Sequence, residues 1–165
     1  MNTEGFMLNN SKGVSTAGND REATVLQILR VADLLTRIGD SKVFGKELSQ
    51  AQFNVLMILR RHGQNGMSQK DIVGYLVSTK GNISIHISNL TRMGYIHKKI
   101  SKTDNRMSRI TLTAKGRRIL ADLEPKYIQR LKEVTNNLSA EQAEAAITAL
   151  NRLMGKCEDI LNNSN

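Results

Sequence analysis

The chain has one cysteine, one proline and no tryptophan, and aromatic residues make up 4% of it. A single cysteine excludes an internal disulfide framework and a thiolate zinc cage, and it suits a reducing compartment. Long apolar runs are also missing. The longest stretch without Asp, Glu, Lys or Arg is the 12 residues from Leu48 to Leu59, short of the roughly 20 that a bilayer-spanning helix needs. No basic segment followed by an apolar run stands in the first 19 residues, so no secretory signal is expected. The expectation is a cytoplasmic protein without membrane association. HExxH, Walker A, GxGxxG and Cys-x-x-Cys motifs are absent, and His62, His86 and His97 do not fall at metal-ligand spacing. Neither catalysis, nor a metal, nor a cofactor is expected.

Acid is scarce in one place only. Between Lys42 and Arg118 there are 15 Lys and Arg against three acids, Glu47, Asp71 and Asp104, while the rest of the chain carries a net −3. All of the +9 formal charge therefore comes from a central block of 77 residues. A field of that sign gathers polyanions and releases their counterions when phosphates are neutralised. A basic block of this kind points to nucleic acid; the plainer alternative is a solvated surface that keeps the protein soluble.

What is present divides 165 residues, enough for one compact domain with an extension, into recognisable elements. Residues 1–19, rich in Asn, Ser, Gly and Thr, read as a flexible arm. Val25, Ile28, Leu29, Ala32, Leu35 and Ile38 recur at helical spacing and predict a first helix closed by Gly39 and Asp40. Ser49, Ser68 and Ser139 each stand three residues before Gln52, Asp71 and Gln142, the spacing of a capping box, and each precedes an apolar periodic run. The second helix is predicted over Ala51 to His62, with Phe53, Leu56, Met57 and Leu59 inside. The third is predicted over Gln69 to Leu76, burying Ile72, Val73 and Leu76.

A fourth helix follows almost at once, with Thr79 as its N-cap and Gly94 as its stop. A short helix, a tight turn and a longer helix have the outline of a helix-turn-helix. Ile83, His86, Ile87 and Leu90 mark the core side of the longer helix. Gly81, Asn82, Ser84, Ile85 and Ser88 fall opposite, on a face without acid. From Tyr95 the period changes to two, and Thr103-Asp-Asn105 is a turn, so a β-hairpin is predicted. It carries Lys98, Lys99, Lys102, Arg106 and Arg109, whose mutual repulsion is costly unless a polyanion relieves it.

Thr113 is placed as the cap of a fifth helix, Ala114 to Asn137, which Pro125 should kink or divide. The last helix, Ala140 to Leu161, carries Ala143, Ile147, Leu150, Met154, Cys157 and Leu161 at alternating spacings of four and three. That is an a/d seam, flanked by a second row, Ala146, Leu153 and Ile160. A helix apolar on more than one side wants a partner, so the first and the last two helices are assigned to homodimerisation; the alternative is packing within one chain.

This order of elements resembles the MarR family of winged helix-turn-helix regulators. Asp104-Asn-Arg106, then Ile110-Thr-Leu-Thr113 and Gly116, resemble the family's wing motif. Leu90-Thr-Arg-Met-Gly94-Tyr-Ile96 resembles its passage from recognition helix to wing. The similarity covers about residues 20 to 155. The fold it implies is mainly α with a small β-hairpin wing (α+β). Its expected parts are an arm (1–19), a dimerisation helix (20–40), a winged helix-turn-helix DNA-binding domain (41–113), C-terminal dimerisation helices (114–161) and a tail (162–165). The resemblance implies a homodimer on a pseudo-palindromic operator in double-stranded DNA, acting as a repressor released by a small anionic aromatic effector. An activator of the same fold, or a winged-helix module that binds protein or RNA, is the alternative. The family's oxidant sensors carry a reactive cysteine near the first helix. Here only Cys157 exists, and its seam position predicts an inert core thiol. Phe44, Phe53, Met57 and Tyr127 stand where an effector pocket or simply core is expected.

On such a reading the fourth helix enters the major groove, with Thr79 and Lys80 on the DNA backbone. Asn82 suits adenine, and Ser84 suits either base type. Ser88 shares their face. Gly81 costs about 1 kcal/mol of helix propensity relative to Ala, which close approach of DNA would explain as well as a tolerated defect does. Ile85 either touches a thymine methyl or tilts into the core. The wing reaches the minor groove, where Arg106 is the natural inserted residue and Asp104 holds Arg106 and the turn in place. Lys98, Lys99, Lys102 and Arg109 are expected on phosphates.

Overall fold

A computed structural model describes residues 20–76, 80–100 and 108–163. The elements are α1 (Asp20–Gly39), a π-type turn (Asp40–Phe44), α2 (Gln50–His62), α3 (Gln69–Tyr75), α4 (Lys80–Arg92), β1 (Ile96–Ile100), β2 (Ser108–Leu112), α5 (Ala114–Thr135) and α6 (Ala140–Asn162). Among the described residues the protein is thus mainly helical with one antiparallel strand pair. It forms two compact units, one ending at Pro125 and the other beginning at Lys126.

All three capping boxes form. The hydroxyl of Ser49 accepts from the Gln52 amide while the Ser49 amide donates to Gln52 Oε1 at 2.9 Å. Ser68 and Asp71 do the same for α3, and Ser139 and Gln142 for α6. Each box satisfies two amides that a helix start would otherwise leave open.

The first unit has its core around α2. Phe53, Val55, Leu56 and Leu59 are buried there, as are Ile72 of α3, Ile83, Ile87 and Leu90 of α4, Ile96 and Ile110 of the hairpin and Leu120 and Leu123 of α5. No polar or charged side chain is buried among the described residues. Val55 falls outside the single stripe expected of α2, whereas Met57 is only half-buried. The reason is that α2 packs against the π-type turn, α3, α4 and β2 at once, so a wide arc of it loses water. Val73 and Leu76 of the short helix are likewise only half-buried.

Three expectations need correction. The first helix does not simply stop at Gly39 and Asp40: the chain makes one wider turn to Phe44, closed by the Gly45 amide on the Asp40 carbonyl at 3.1 Å. Gly45 has φ +59°, a conformation that glycine adopts without steric cost. The turn delivers the Phe44 ring to the core, 4.7 Å from the Phe53 ring centroid, which makes both rings packing residues. Second, α5, with Pro125 inside it, ends at Thr135 rather than Asn137. Third, Cys157 is exposed, because no residue of α6 is buried in the single chain. Ile147 and Met154 of the same seam are 59% and 57% exposed.

Candidate nucleic-acid interface

The two faces of α4 separate as chemistry requires. Ile83, Ile87 and Leu90 are buried, and Gly81, Asn82, Ser84, Ile85 and Ser88 are all exposed. His86 lies between, half-buried, with its Nδ1 shielded from solvent and unpartnered among the described residues. The outward face bears no acid, and none occurs between Asp71 and Asp104. Ile85 is 59% exposed, so the inward alternative for it falls. A Cβ built on Gly81 meets nothing within 4 Å, so the protein's own packing does not require a glycine there. Lys80 begins α4. Thr79 lies outside the described residues, as do Lys102, Asp104, Arg106 and the arm 1–19.

The hairpin is held by register. Ile96 faces Leu112, His97 faces Thr111, Lys98 faces Ile110, Lys99 faces Arg109 and Ile100 faces Ser108. Opposed residues share a face, so burial of Ile96 and Ile110 fixes which side meets the core and leaves His97, Thr111, Lys99 and Arg109 on the other. Lys98 stands on the core side of the ribbon and is nevertheless exposed. Met67 adds a further bridge to Ile110, with reciprocal amide–carbonyl bonds of 3.0 and 2.8 Å, and so joins the hairpin to the segment before α3.

Several bases of the central block are engaged by the protein itself. Arg109 Nη1 donates to the Gly66 carbonyl at 3.0 Å, a role that sequence reasoning, which gave Arg109 only to phosphate, did not find. Lys115 Nζ donates to the Met93 carbonyl at 2.9 Å and sits over the Tyr95 ring. Arg117 Nη1 donates to the Leu112 carbonyl at 3.0 Å, and Arg60 pairs with Glu124. The amide and hydroxyl of Ser68 hold the Asp71 carboxyl below its ordinary range, and Arg109 and Lys70 add to the effect. The hydrogen bond from Arg60 does the same for Glu124. Burial raises the Tyr95 phenol, helped by the nearby charge of Glu47. Lys98 and Lys99 remain exposed on the hairpin and Lys70 on the first turn of α3.

The junction from α4 to the hairpin and α5 is tightly made. The Thr113 hydroxyl accepts from the Gly116 amide at 2.9 Å and donates to the Gly94 carbonyl at 2.8 Å, confirming Thr113 as the cap of α5. A Cβ on Gly116 would stand 2.1 Å from the Tyr95 carbonyl oxygen, so only glycine lets the chain pass. Beside this junction open two grooves of about 530 and 830 Å³ that share Lys46, Glu47 and Met93.

A short helix, a longer helix with a polar outward face, and an antiparallel ribbon locked to them define a winged helix-turn-helix, a DNA-binding class. The family described as Transcriptional regulator SarA/Rot matches residues 42–123. The HTH-type transcriptional regulator PapX of Escherichia coli is 27% identical over 141 residues, 85% of this chain and 86% of PapX. The S. aureus MepR–DNA complex superposes with a TM-score of 0.74 at 22% identity, covering 80% of this chain and 96% of that one. A MarR/EmrR family transcriptional regulator from Acinetobacter sp. ADP1 gives 0.75 at 19% identity, covering 86% and 99%. The chain has the winged helix-turn-helix fold of these MarR-type structures and is similar in sequence to HTH-type transcriptional regulators.

Proposed function

We propose that two copies of this chain read a pseudo-palindromic operator in duplex DNA and repress transcription in the cytoplasm until a small organic anion releases them. The outward face of α4 carries this reading: five exposed, acid-free positions stand on a helix whose other side is core. Residues 41–113 form the DNA-reading part. Asn82, Ser84, Ile85 and Ser88 meet base edges in the major groove, and Lys80 lies at the helix start beside the DNA backbone. Lys98 and Lys99 face phosphates, and Lys102 and Arg106, with Asp104 as the holder of Arg106, extend the wing toward the minor groove. Arg109 supports the wing from within.

Pairing rests on α1, α5 and α6. Val25, Leu29 and Leu34 of α1 and Ile147, Leu150 and Met154 of α6 are exposed in the single chain, and apolar area on this scale favours a covering surface. A second copy supplies the same seam and gives the twofold symmetry that a palindrome needs. Cys157 then lies within the pairing seam. The two grooves are lined by Lys46, Arg92 and Arg118 together with Asp40, Glu47 and Asp122, and the basic side chains among them are the groups an anionic effector would meet.

The test is selection of tight-binding duplexes from a random pool with the full chain, followed by a salt titration and the mass of the complex. Two chains per duplex, half-sites about 10 bp apart and affinity falling steeply with salt are expected. A one-subunit mass, or no duplex binding at low ionic strength, overturns the reading. Preference for single-stranded RNA over duplex favours the module alternative.

A further inference from the structure

The one large apolar side chain on the outward face of α4 is Ile85. Isolated exposed isoleucines are ordinary on protein surfaces. This one stands among Asn82, Ser84 and Ser88 on a helix whose inward side is already filled by Ile83, Ile87 and Leu90. Its position relative to Gly81 matters most. Residues four apart lie on one helix face, and a helical side chain leans back over the turn N-terminal to it. Ile85 therefore reaches over the turn that Gly81 begins, and there a Cβ would find open space. Gly81 thus leaves the surface N-terminal to Ile85 open, with no atom within 4 Å of where a methyl group would stand.

Of the groups that base pairs present in the major groove, the thymine 5-methyl is the apolar one. Polar base edges gain nothing from Ile85 and lose water against it. We propose that Gly81 and Ile85 together seat a thymine 5-methyl group, making Ile85 a specificity-determining residue in each half-site. The proposal rests on the DNA-reading function above and deepens it by naming the base group that is read.

The experiment uses the full chain and the best duplex selected from a random pool, at low ionic strength so that phosphate contacts keep weak variants measurable. Each thymine is replaced in turn by deoxyuridine, which lacks only the methyl, and affinity is read by fluorescence anisotropy. For the wild type, one thymine per half-site shows a penalty of about fourfold, the value of one buried methyl group. With Ile85→Ala the penalty at that thymine disappears. With Gly81→Ala, whose new methyl takes up the open space beside Ile85, affinity for the thymine duplex drops, and deoxyuridine at the same position restores part of it. The proposal is overturned if no thymine shows a penalty with the wild type, or if Ile85→Ala keeps the penalty. Failure of the wild type to bind any selected duplex is a separate result that removes the DNA-reading function itself.

Discussion

Arg109 and Gly66, 43 positions apart, are joined by a 3.0 Å hydrogen bond from guanidinium to carbonyl. Gly66 has φ +78°, and a Cβ on it would lie 3.0 Å from Thr111 Cγ2 and 3.2 Å from the Arg109 Cβ. The turn before α3 thus lies flush against β2, and Arg109 fastens it. The same side chain is directly opposite Lys99, an unfavourable pairing of like charges. Its bond to Gly66, together with the field of Asp71, offsets that repulsion.

Arg109 and Lys99 should therefore respond differently to truncation. On the proposed DNA-reading function Lys99→Ala removes a phosphate contact, so the slope of log affinity against log salt should fall by about 0.9. Arg109→Ala loosens the wing: affinity drops, the salt slope stays that of the wild type, and stability falls by about 1 kcal/mol. A slope change as large in Arg109→Ala as in Lys99→Ala would show that Arg109 itself holds a phosphate.

Two glycines predict opposite signs of stability change. Gly116→Ala drives a methyl into the Tyr95 carbonyl, where backbone on both sides cannot yield, and should cost about 3 kcal/mol in a urea titration. Gly74→Ala enters open space inside α3 and should stabilise by up to about 1 kcal/mol. Equal effects from the two substitutions would contradict the packing described here.

Asp71 makes a pH prediction. Its folded carboxyl titrates below the ordinary value of 3.8, chiefly because the Ser68 amide and hydroxyl bond to it. A depressed folded pKa contributes stability that is complete above the unfolded value and is lost as pH falls through the folded one. Asp71→Asn should thus lower stability by a constant amount above about pH 5, with the difference from wild type closing as acid is added below pH 4. Thermal midpoints at a series of pH values measure it; a difference that persists at the lowest pH would assign the loss to packing.

Charge on the α6 seam tests pairing. Ile147→Glu places a carboxylate on an apolar stripe that is 59% exposed at that residue in the single chain, so the fold of one chain should survive while the pair separates. Light scattering should report one subunit with the helical circular dichroism retained. A pair that persists would move the interface away from this seam.

Local chemistry made much of this protein legible in the amino-acid order. The serine caps at 49, 68 and 139 are readable because a capping box closes over three residues. The winged helix-turn-helix outline is readable because periodicity passes from helical to alternating at Tyr95. The outward residues of α4 are readable for a related reason: Ile83, Ile87 and Leu90 repeat at one helical spacing and leave the rest opposite. Ile85 sat two residues from both Ile83 and Ile87, and composition offered no ground for choosing its side; packing of α4 against α2 and α3 did. Packing also drew Val55 into the core and brought Phe44 there through a wider turn. It gave Arg109 a partner that lies far away in the chain. Hydrogen bonds and side-chain periods act within a few residues and leave marks in the order of amino acids, whereas the neighbours of a face are set by which distant segments displace water from it.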